Sequence, residues 1–327
     1  MKEKGLSTRF VLIIGSSNMD LNIYLERLPQ PGETVTGGIF KQFLGGKGAN
    51  QAVASTRSGA HTVFIGKIGE DAFGRKMEAQ LMKEGVNINY LIKDSEEHSG
   101  VAFIMIDNRG ENMISVAPGA NYKFTPPEIK KYSEIIQNAT ALVVQMELPV
   151  NTIEKIFSIA SRGDTIKILN PAPLKPISAE MLQNIDILVP NEGELVKLAQ
   201  LLGFAKDEED SAEESIVEFS KHIANLGPRY VITTLGKKGC VIYDRTTDKV
   251  TKIPSFKVEA VDTVGAGDCF NGVLASNLCK GKTVYTAVKY ATAAASIAVT
   301  RKGAQESMPY EDEIEKRYKS FKQKSEE

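Results

Sequence analysis

Three observations on the 327-residue chain predict an α/β fold: a doubly wound, mostly parallel sheet flanked by helices, with a small β lid. Short, near-continuous apolar runs alternate with helical stretches, and such runs suit parallel strands covered on both faces. Glycine-rich turns at 45–48 and 265–267 each open a helix. Two stretches, 20–44 and 99–117, break the alternation with antiparallel-type strands. The chain therefore reads as one unit over 1–327. Its α/β core covers about 8–19, 45–98 and 118–310, and its lid about 20–44 and 99–117.

The elements follow in order. A strand over 10–14 ends at Gly15, a helix over 48–58 follows, and 62–65 is a second strand. The helix over 74–83 carries Met77, Leu81 and Met82 on one side and stops at Gly85. In the lid, two apolar runs are joined by Asp107-Asn108-Arg109-Gly110, a hairpin signal. A helix over 127–137 starts with proline in its first turn, where the missing N–H costs nothing. Strands at 141–146, 166–169, 187–189 and 230–234 are interleaved with helices at 152–160, 192–202 and 215–226. The acidic run 206–214 and the charged, helical tail 311–327 read as solvated surface.

Forty Lys and Arg against 41 Asp and Glu give a net charge of -1, which argues against nucleic acid or an anionic membrane as the main partner. The three cysteines form no CxxC pair, and His61, His98 and His222 lie far apart, so neither a disulfide framework nor a zinc site is expected. The apolar run 10–14 is shorter than a signal-peptide core of about 7–15 residues. No stretch approaches the roughly 18 apolar residues of a membrane span. A soluble, cytoplasmic protein is the expectation.

The run Asp262-Thr263-Val264-Gly265-Ala266-Gly267-Asp268 opens a helix over 269–279. The N–H groups of Gly265, Ala266 and Gly267 can converge on an anion, with the helix dipole in support. A carboxylate beside such a site suits a base that takes a proton from a hydroxyl during phosphoryl transfer. It equally suits a plain first-turn aspartate. Gly45-Gly46-Lys47-Gly48-Ala49-Asn50 opens a second helix and offers close backbone approach with two donors. Walker A, HRD and DFG strings are absent. Asn18 and Asp20 follow the first strand at its carboxyl end, where ligands of open α/β sheets bind, and Glu147 ends its strand likewise. Glu194, in Asn191-Glu192-Gly193-Glu194, is spaced either to organise a magnesium ion through water or to serve as a first-turn acid.

GGKGAN at 45–50, NEGE at 191–194 and DTVGAGDCFNG at 262–272 resemble the two signature regions and the N-x-x-E motif of the phosphofructokinase-B-type family of carbohydrate and nucleoside kinases. The likeness runs from about residue 10 to 310. PGETVTGG at 31–38, NPAP at 170–173 and VTRKGAQ at 299–305 are similar to segments of its ribose-phosphorylating members. The resemblance implies ATP-dependent phosphorylation of D-ribose at O5. Asp268 would be the base, and Gly265, Ala266 and Gly267 the anion hole. Asn18, Asp20, Gly46, Lys47, Asn50 and Glu147 would hold the sugar. Asn191, Thr234, Gly236, Gly239 and Gly267 would line the nucleotide site. Thr292 stands where bacterial members often have a histidine near adenine. The resemblance also implies Mg²⁺ with ATP and an activating K⁺. Asp262 and Ser307, with the carbonyls of Val264, Ala298, Arg301 and Gly303, match the potassium site. A homodimer through the lid is implied as well. A kinase of 2-deoxyribose or of a nucleoside is the alternative on the same fold. A sugar-binding pseudokinase is disfavoured because Asp268 and its loop are intact.

Overall fold

The structure is a computed structural model that describes residues 9–205 and 213–323. Its strands are β1 (Val11–Ile14), β2 (Asn18–Tyr24), β3 (Ile39–Gly45), β4 (Thr62–Ile65), β5 (Lys67–Gly69), β6 (Ile92–Asp94), β7 (Gly100–Ile106), β8 (Asn112–Ala117), β9 (Ala141–Gln145), β10 (Ile166–Asn170), β11 (Ile187–Leu188), β12 (Tyr230–Thr234), β13 (Cys240–Asp244) and β14 (Lys249–Ile253). The helices are α1 (Lys47–Arg57), α2 (Ala72–Lys83), α3 (Pro126–Lys130), α4 (Ser133–Asn138), α5 (Val150–Ala160), α6 (Ala179–Gln183), α7 (Glu192–Leu201), α8 (Glu213–Asn225), α9 (Ala266–Cys279), α10 (Val284–Ala298) and α11 (Glu311–Gln323).

The main sheet runs β14-β13-β12-β11-β10-β9-β1-β4. The six strands from β4 to β12 are mutually parallel. Period-2 alternation sends Val11 and Ile13 into one core and Leu12 and Ile14 into the other. The first core is closed by α1, α9 and α10, the second by α5, α6, α7 and α8. Both faces of the sheet are thus covered, which is why its strands read as unbroken apolar runs. The chain runs outward from β1 in two directions, to β4 and to β9, and ligands of such sheets bind above that divergence.

Four differences from the sequence reading stand out. The strands β13 and β14 and the helix α10 had no counterpart in it; β13 and β14 form an antiparallel edge attached to β12. The expected helix over 127–137 is two short helices. The N–H groups of Lys131 and Tyr132 bond carbonyls three residues back, tightening the turn, and Tyr132 leaves helical geometry at φ −101° and ψ 15°. The lid is not wholly antiparallel: β3-β2-β7-β8 has two antiparallel hairpins joined through a parallel β2–β7 pair. The short loop 107–111 makes β7 and β8 antiparallel, whereas residues 25–38 join β2 to β3; the two hairpins then pair through their first strands, which run in the same direction. Finally, β5 and β6 form an unexpected parallel pair at the base of the lid. Most of the acidic run 206–214 lies outside the described residues, as do residues 324–327 of the tail, whose earlier part is α11. Among the described residues no helix is long and apolar enough to cross a membrane.

Candidate active site

Two helix starts meet above β1. Gly46, at φ +87°, would bring a Cβ within 2.6 Å of Ser17 Cα, and a Cβ on Gly48 would lie 2.6 Å from the Gly15 carbonyl carbon. Only glycine lets α1 begin this close to the end of β1. The contact places the Lys47 N–H on Glu147 Oε2 at 3.0 Å, and the Ser16 hydroxyl donates to the same oxygen. Glu147 therefore anchors the start of α1 as well as facing the site.

The helix α9 starts from Gly265 in the left-handed region, φ +75°, with no side-chain cap. Asp268 sits in its first turn and is buried. Asn50 Nδ2 donates to Asp268 Oδ2 at 2.9 Å, and Gln51 Nε2 donates to Asp268 Oδ1 at 3.0 Å. Of the three expected anion-hole donors, Ala266 departs from expectation: its N–H is turned 3.3 Å from the Thr263 carbonyl, closing the tight turn. Among the described residues no acceptor faces the N–H groups of Gly265, Gly267 and Asp268. These are the orphan donors that a helix N-terminus offers an anion.

On the lid side, Asn18 is buried and its Oδ1 accepts from Asn121 Nδ2 at 2.8 Å. Asn121 is itself fixed by Ser17 and Pro118, so the Asn18 amide N–H groups are the ones left to a ligand. The Asp20 carboxylate lies over Gly45. Burial, then the neighbouring Glu147, Asp268 and Glu306 carboxylates, push the Asp20 pKa up to about 7, with Lys47 acting the other way. Lys47 is in turn held protonated more firmly than usual, by Asp268 first and against its own desolvation, with Glu147, Glu194 and Asp20 adding to the effect.

A cavity of about 230 Å³ opens between these helix starts and the ends of β10, β11 and β12. Lys47, Asn191, Glu194, Thr234, Gly267 and Asp268 are on its walls. Lys47 thus reaches the side opposite the lid, as well as the place expected for a sugar. Asn191 and Glu194 form a reciprocal capping box, each accepting the other's backbone N–H at 2.8 Å. That occupies one Glu194 oxygen; burial raises the pKa of the group. Gly236 and Gly239, both at positive φ, shape the turn after β12 and hold its end near Thr234. Thr292 is buried, its hydroxyl donating to the Val288 carbonyl at 2.9 Å and lying 3.9 Å from Cys240 Sγ, just beyond Gly239. A threonine inside a helix satisfies itself one turn back, so this hydroxyl is engaged on its own helix.

The residues expected around potassium come together in two adjoining loops. Asp262 accepts from the N–H groups of Val264 and Gly303, both at 3.0 Å. Ser307 is buried and donates to the Ala304 carbonyl, while the Ala298 carbonyl takes the Arg301 N–H. The Arg301 guanidinium turns away to Glu313. Gln305 Oε1, in the same loop, is buried and unpaired. The Asp262 carboxylate, carbonyls, a hydroxyl and an orphan oxygen form an all-oxygen set that fits a hard cation.

Among the described residues, the buried unpaired side-chain oxygens include Asn50 Oδ1, Gln145 Oε1 and Asn271 Oδ1, all in residues around Asp268. Unpaired buried polar atoms concentrate where function requires them. A larger groove of about 770 Å³ lies at the opposite end of the sheet, but its cations are paired, Lys167 with Asp186, Arg229 with Asp244 and Lys282 with Glu315.

The model of the pfkB family carbohydrate kinases matches residues 8–311. The chain belongs to that family. It is a carbohydrate kinase. The ribokinase of Staphylococcus aureus (strain COL) is 38% identical over 309 residues, 94% of this chain and 99% of the relative. The deoxyribokinase of Salmonella typhi is 33% identical over 300 residues, covering 91% and 95%. Arabidopsis thaliana ribokinase, solved with ribose and ATP, superposes with a TM-score of 0.87 at 32% identity over 95% of this chain and 99% of that one.

Four side chains of this pfkB-family site escaped sequence reasoning: Gln51, Asn121, Gln145 and Asn170. Gln51 directly follows Asn50 in the glycine-rich segment, and that adjacency was its one signal. Asn170 opens the NPAP segment at 170–173, and that similarity was its signal; Gln145 ends a strand and Asn121 lies in a short turn, with no motif around them.

Proposed function

We propose that this chain transfers the terminal phosphoryl group of ATP to O5 of D-ribose. The observation that carries the reading is Asp268: a buried carboxylate in the first turn of α9, next to unpaired N–H groups, on the wall of a cavity shared with Lys47 and Thr234. Asp268 takes the proton of the 5-hydroxyl as O5 attacks the γ-phosphorus. The bond from that phosphorus to the bridging oxygen breaks, and ADP leaves. The free N–H groups of the Gly265–Asp268 turn stabilise charge on the moving group without reorganising. Asn18, Asp20, Gly46, Lys47, Asn50 and Glu147 surround the sugar. Asn191, Thr234, Gly236, Gly239 and Gly267 face the nucleotide. The 38% identity to a ribokinase supports ribose as acceptor.

Magnesium, when bound with ATP, supplies positive charge on the phosphates; the Glu194 oxygen not used in the cap would hold one of its waters. Potassium, when bound, supplies a fixed charge beside the anion turn. Asp262 and Ser307, with the carbonyls of Val264, Ala298, Arg301 and Gly303, would hold it. A homodimer through the lid belongs to the same reading, because the register puts Ile104, Ile114 and Val116 on the lid face that carries Asp20.

The test is ADP release measured with ribose, 2-deoxyribose and adenosine in turn. Ribose should give a kcat/KM at least about tenfold above the others, since a site built to pair a hydroxyl rejects analogues that lack it. A higher value for deoxyribose or adenosine would reassign the acceptor. No ADP with any of them would remove the kinase reading of this site.

A further inference from the structure

Behind Asp268 runs a file of carboxamides that the catalytic proposal does not use. Gln51 Nε2 donates to Asp268 Oδ1 at 3.0 Å and to Asn170 Oδ1 at 3.2 Å. Gln145 Nε2 donates to Gln51 Oε1 at 2.6 Å, and Asn170 Nδ2 donates to the Val189 carbonyl at 3.1 Å. Gln51 and Gln145 are fully buried and Asn170 is 8% exposed. The four groups come from four elements: α1, β9, β10 and α9.

The partners allow one orientation. A backbone carbonyl can only accept, so Asn170 must present Nδ2 to Val189 and Oδ1 to Gln51. An ionised carboxylate only accepts as well, so Gln51 must present Nε2 to Asp268. Its Oε1 then points at Gln145, which must donate. Gln145 keeps this arrangement at a cost: its own Oε1 is buried, unpaired and pressed over Gly15, where any Cβ would overlap it. A leucine or methionine at the end of β9 would bury more cheaply. Polar groups held in a core at a loss call for a reason beyond packing.

We infer that Gln145, acting through Gln51, is a positioning device that holds the Asp268 carboxylate in the orientation required for proton abstraction. Without Gln145, Asn170 alone restrains the Gln51 amide, and each excursion that turns its oxygen toward the carboxylate makes a repulsive contact that swings Asp268 off the acceptor hydroxyl. The inference rests on the reading of Asp268 as the base.

The experiment compares kcat and both KM values for Gln51→Leu, Gln145→Leu, the double variant, Gln51→Glu and Asp268→Asn, with melting temperature measured on each. Gln51→Leu should lower kcat by about 10–100-fold, the loss of one charge-assisted hydrogen bond, with KM for ribose and ATP within about threefold. Gln145→Leu should lower kcat by about 3–10-fold. Because it acts through Gln51, the double variant should fall no further than Gln51→Leu alone. Gln51→Glu keeps the volume and the acceptor for Gln145 but removes the donor, and it should lose at least as much kcat. A folded Gln51→Leu or Gln51→Glu enzyme with kcat within about twofold of wild type overturns the inference, as do multiplicative losses in the double variant. Asp268→Asn separates the two readings. If it keeps wild-type kcat, the base assignment itself fails. If it is inactive while the glutamine variants are unimpaired, only the positioning device fails.

Discussion

Asp20 shows how one residue can carry function and work against stability. Its carboxyl ionises near pH 7 in the folded protein, against an ordinary value of 3.8. Between those values the folded state holds a proton that the unfolded state has released. Stability contributed by this group is therefore full below about pH 4 and is lost as pH rises to about 7. Asp20→Asn should melt higher than wild type by a margin that grows from about pH 4 to about pH 7 and then levels off. A constant margin would place the proton elsewhere. The same carboxylate can accept from two sugar hydroxyls, each charged hydrogen bond contributing about 1.5–3 kcal/mol. Asp20→Ala should accordingly raise KM for ribose by about ten-fold to a hundred-fold, with KM for ATP little changed. Steady-state kinetics with each substrate varied in turn check this.

At the scale of an element, the start of α9 uses two glycines for different reasons. Gly265 is needed for its backbone: it lies at φ +75°, and a Cβ there would sit 3.1 Å from Ala304 Cα. Gly267 has ordinary helical geometry and nothing within 4 Å of its Cβ position, because the cavity lies there. Gly265→Ala should lose about 1–2 kcal/mol of stability together with activity. Gly267→Val should keep its melting temperature within about 2 °C while kcat/KM for ATP falls more than about tenfold. Normal ATP kinetics in Gly267→Val would move the phosphoryl site out of this cavity. The loop pair beside α9 yields a related expectation. Asp262 ties the loop before the helix to Gly303, so a cation between them would steady the turn. Activity should be higher in potassium than in sodium. Equal rates in potassium, sodium and an organic-cation buffer would remove the potassium site.

At the scale of the whole molecule, the lid is the part least supported by its own packing. The strand β8 is exposed along most of its length, with Ile114 at 59% and Val116 at 51%. Apolar residues in a row on an open sheet face call for a covering surface. Ile114→Glu should shift the mass seen by light scattering from dimer to monomer. The same substitution should raise KM for ribose, because Asp20 belongs to the lid sheet. A monomeric wild-type protein would withdraw the dimer.

Much of this was legible in the chain. The parallel core announced itself because strands covered on both faces must be apolar throughout, as Val11–Ile14 and Ala141–Gln145 largely are. The helix starts at Gly46 and Gly265 were legible because close backbone approach and positive φ admit little but glycine. Asp268 stood out in such a start, where a base and a plain first-turn aspartate were equally open, and the role of base came with the family resemblance. The antiparallel edge β13–β14 and the parallel seam in the lid were not legible, since both depend on which strand lies beside which. Nor could sequence show that the Thr292 hydroxyl is engaged on its own helix, with the Val288 carbonyl; that depends on how α10 packs. The carboxamides Gln51, Gln145 and Asn170 mark the same boundary most sharply. Hydrogen bonds between residues about 94 to 217 positions apart leave no periodicity and no local propensity. Local chemistry determined where the turns, helix starts and the candidate carboxylate would be. Only the assembled fold, by bringing four distant elements to one point, decided what holds that carboxylate in place.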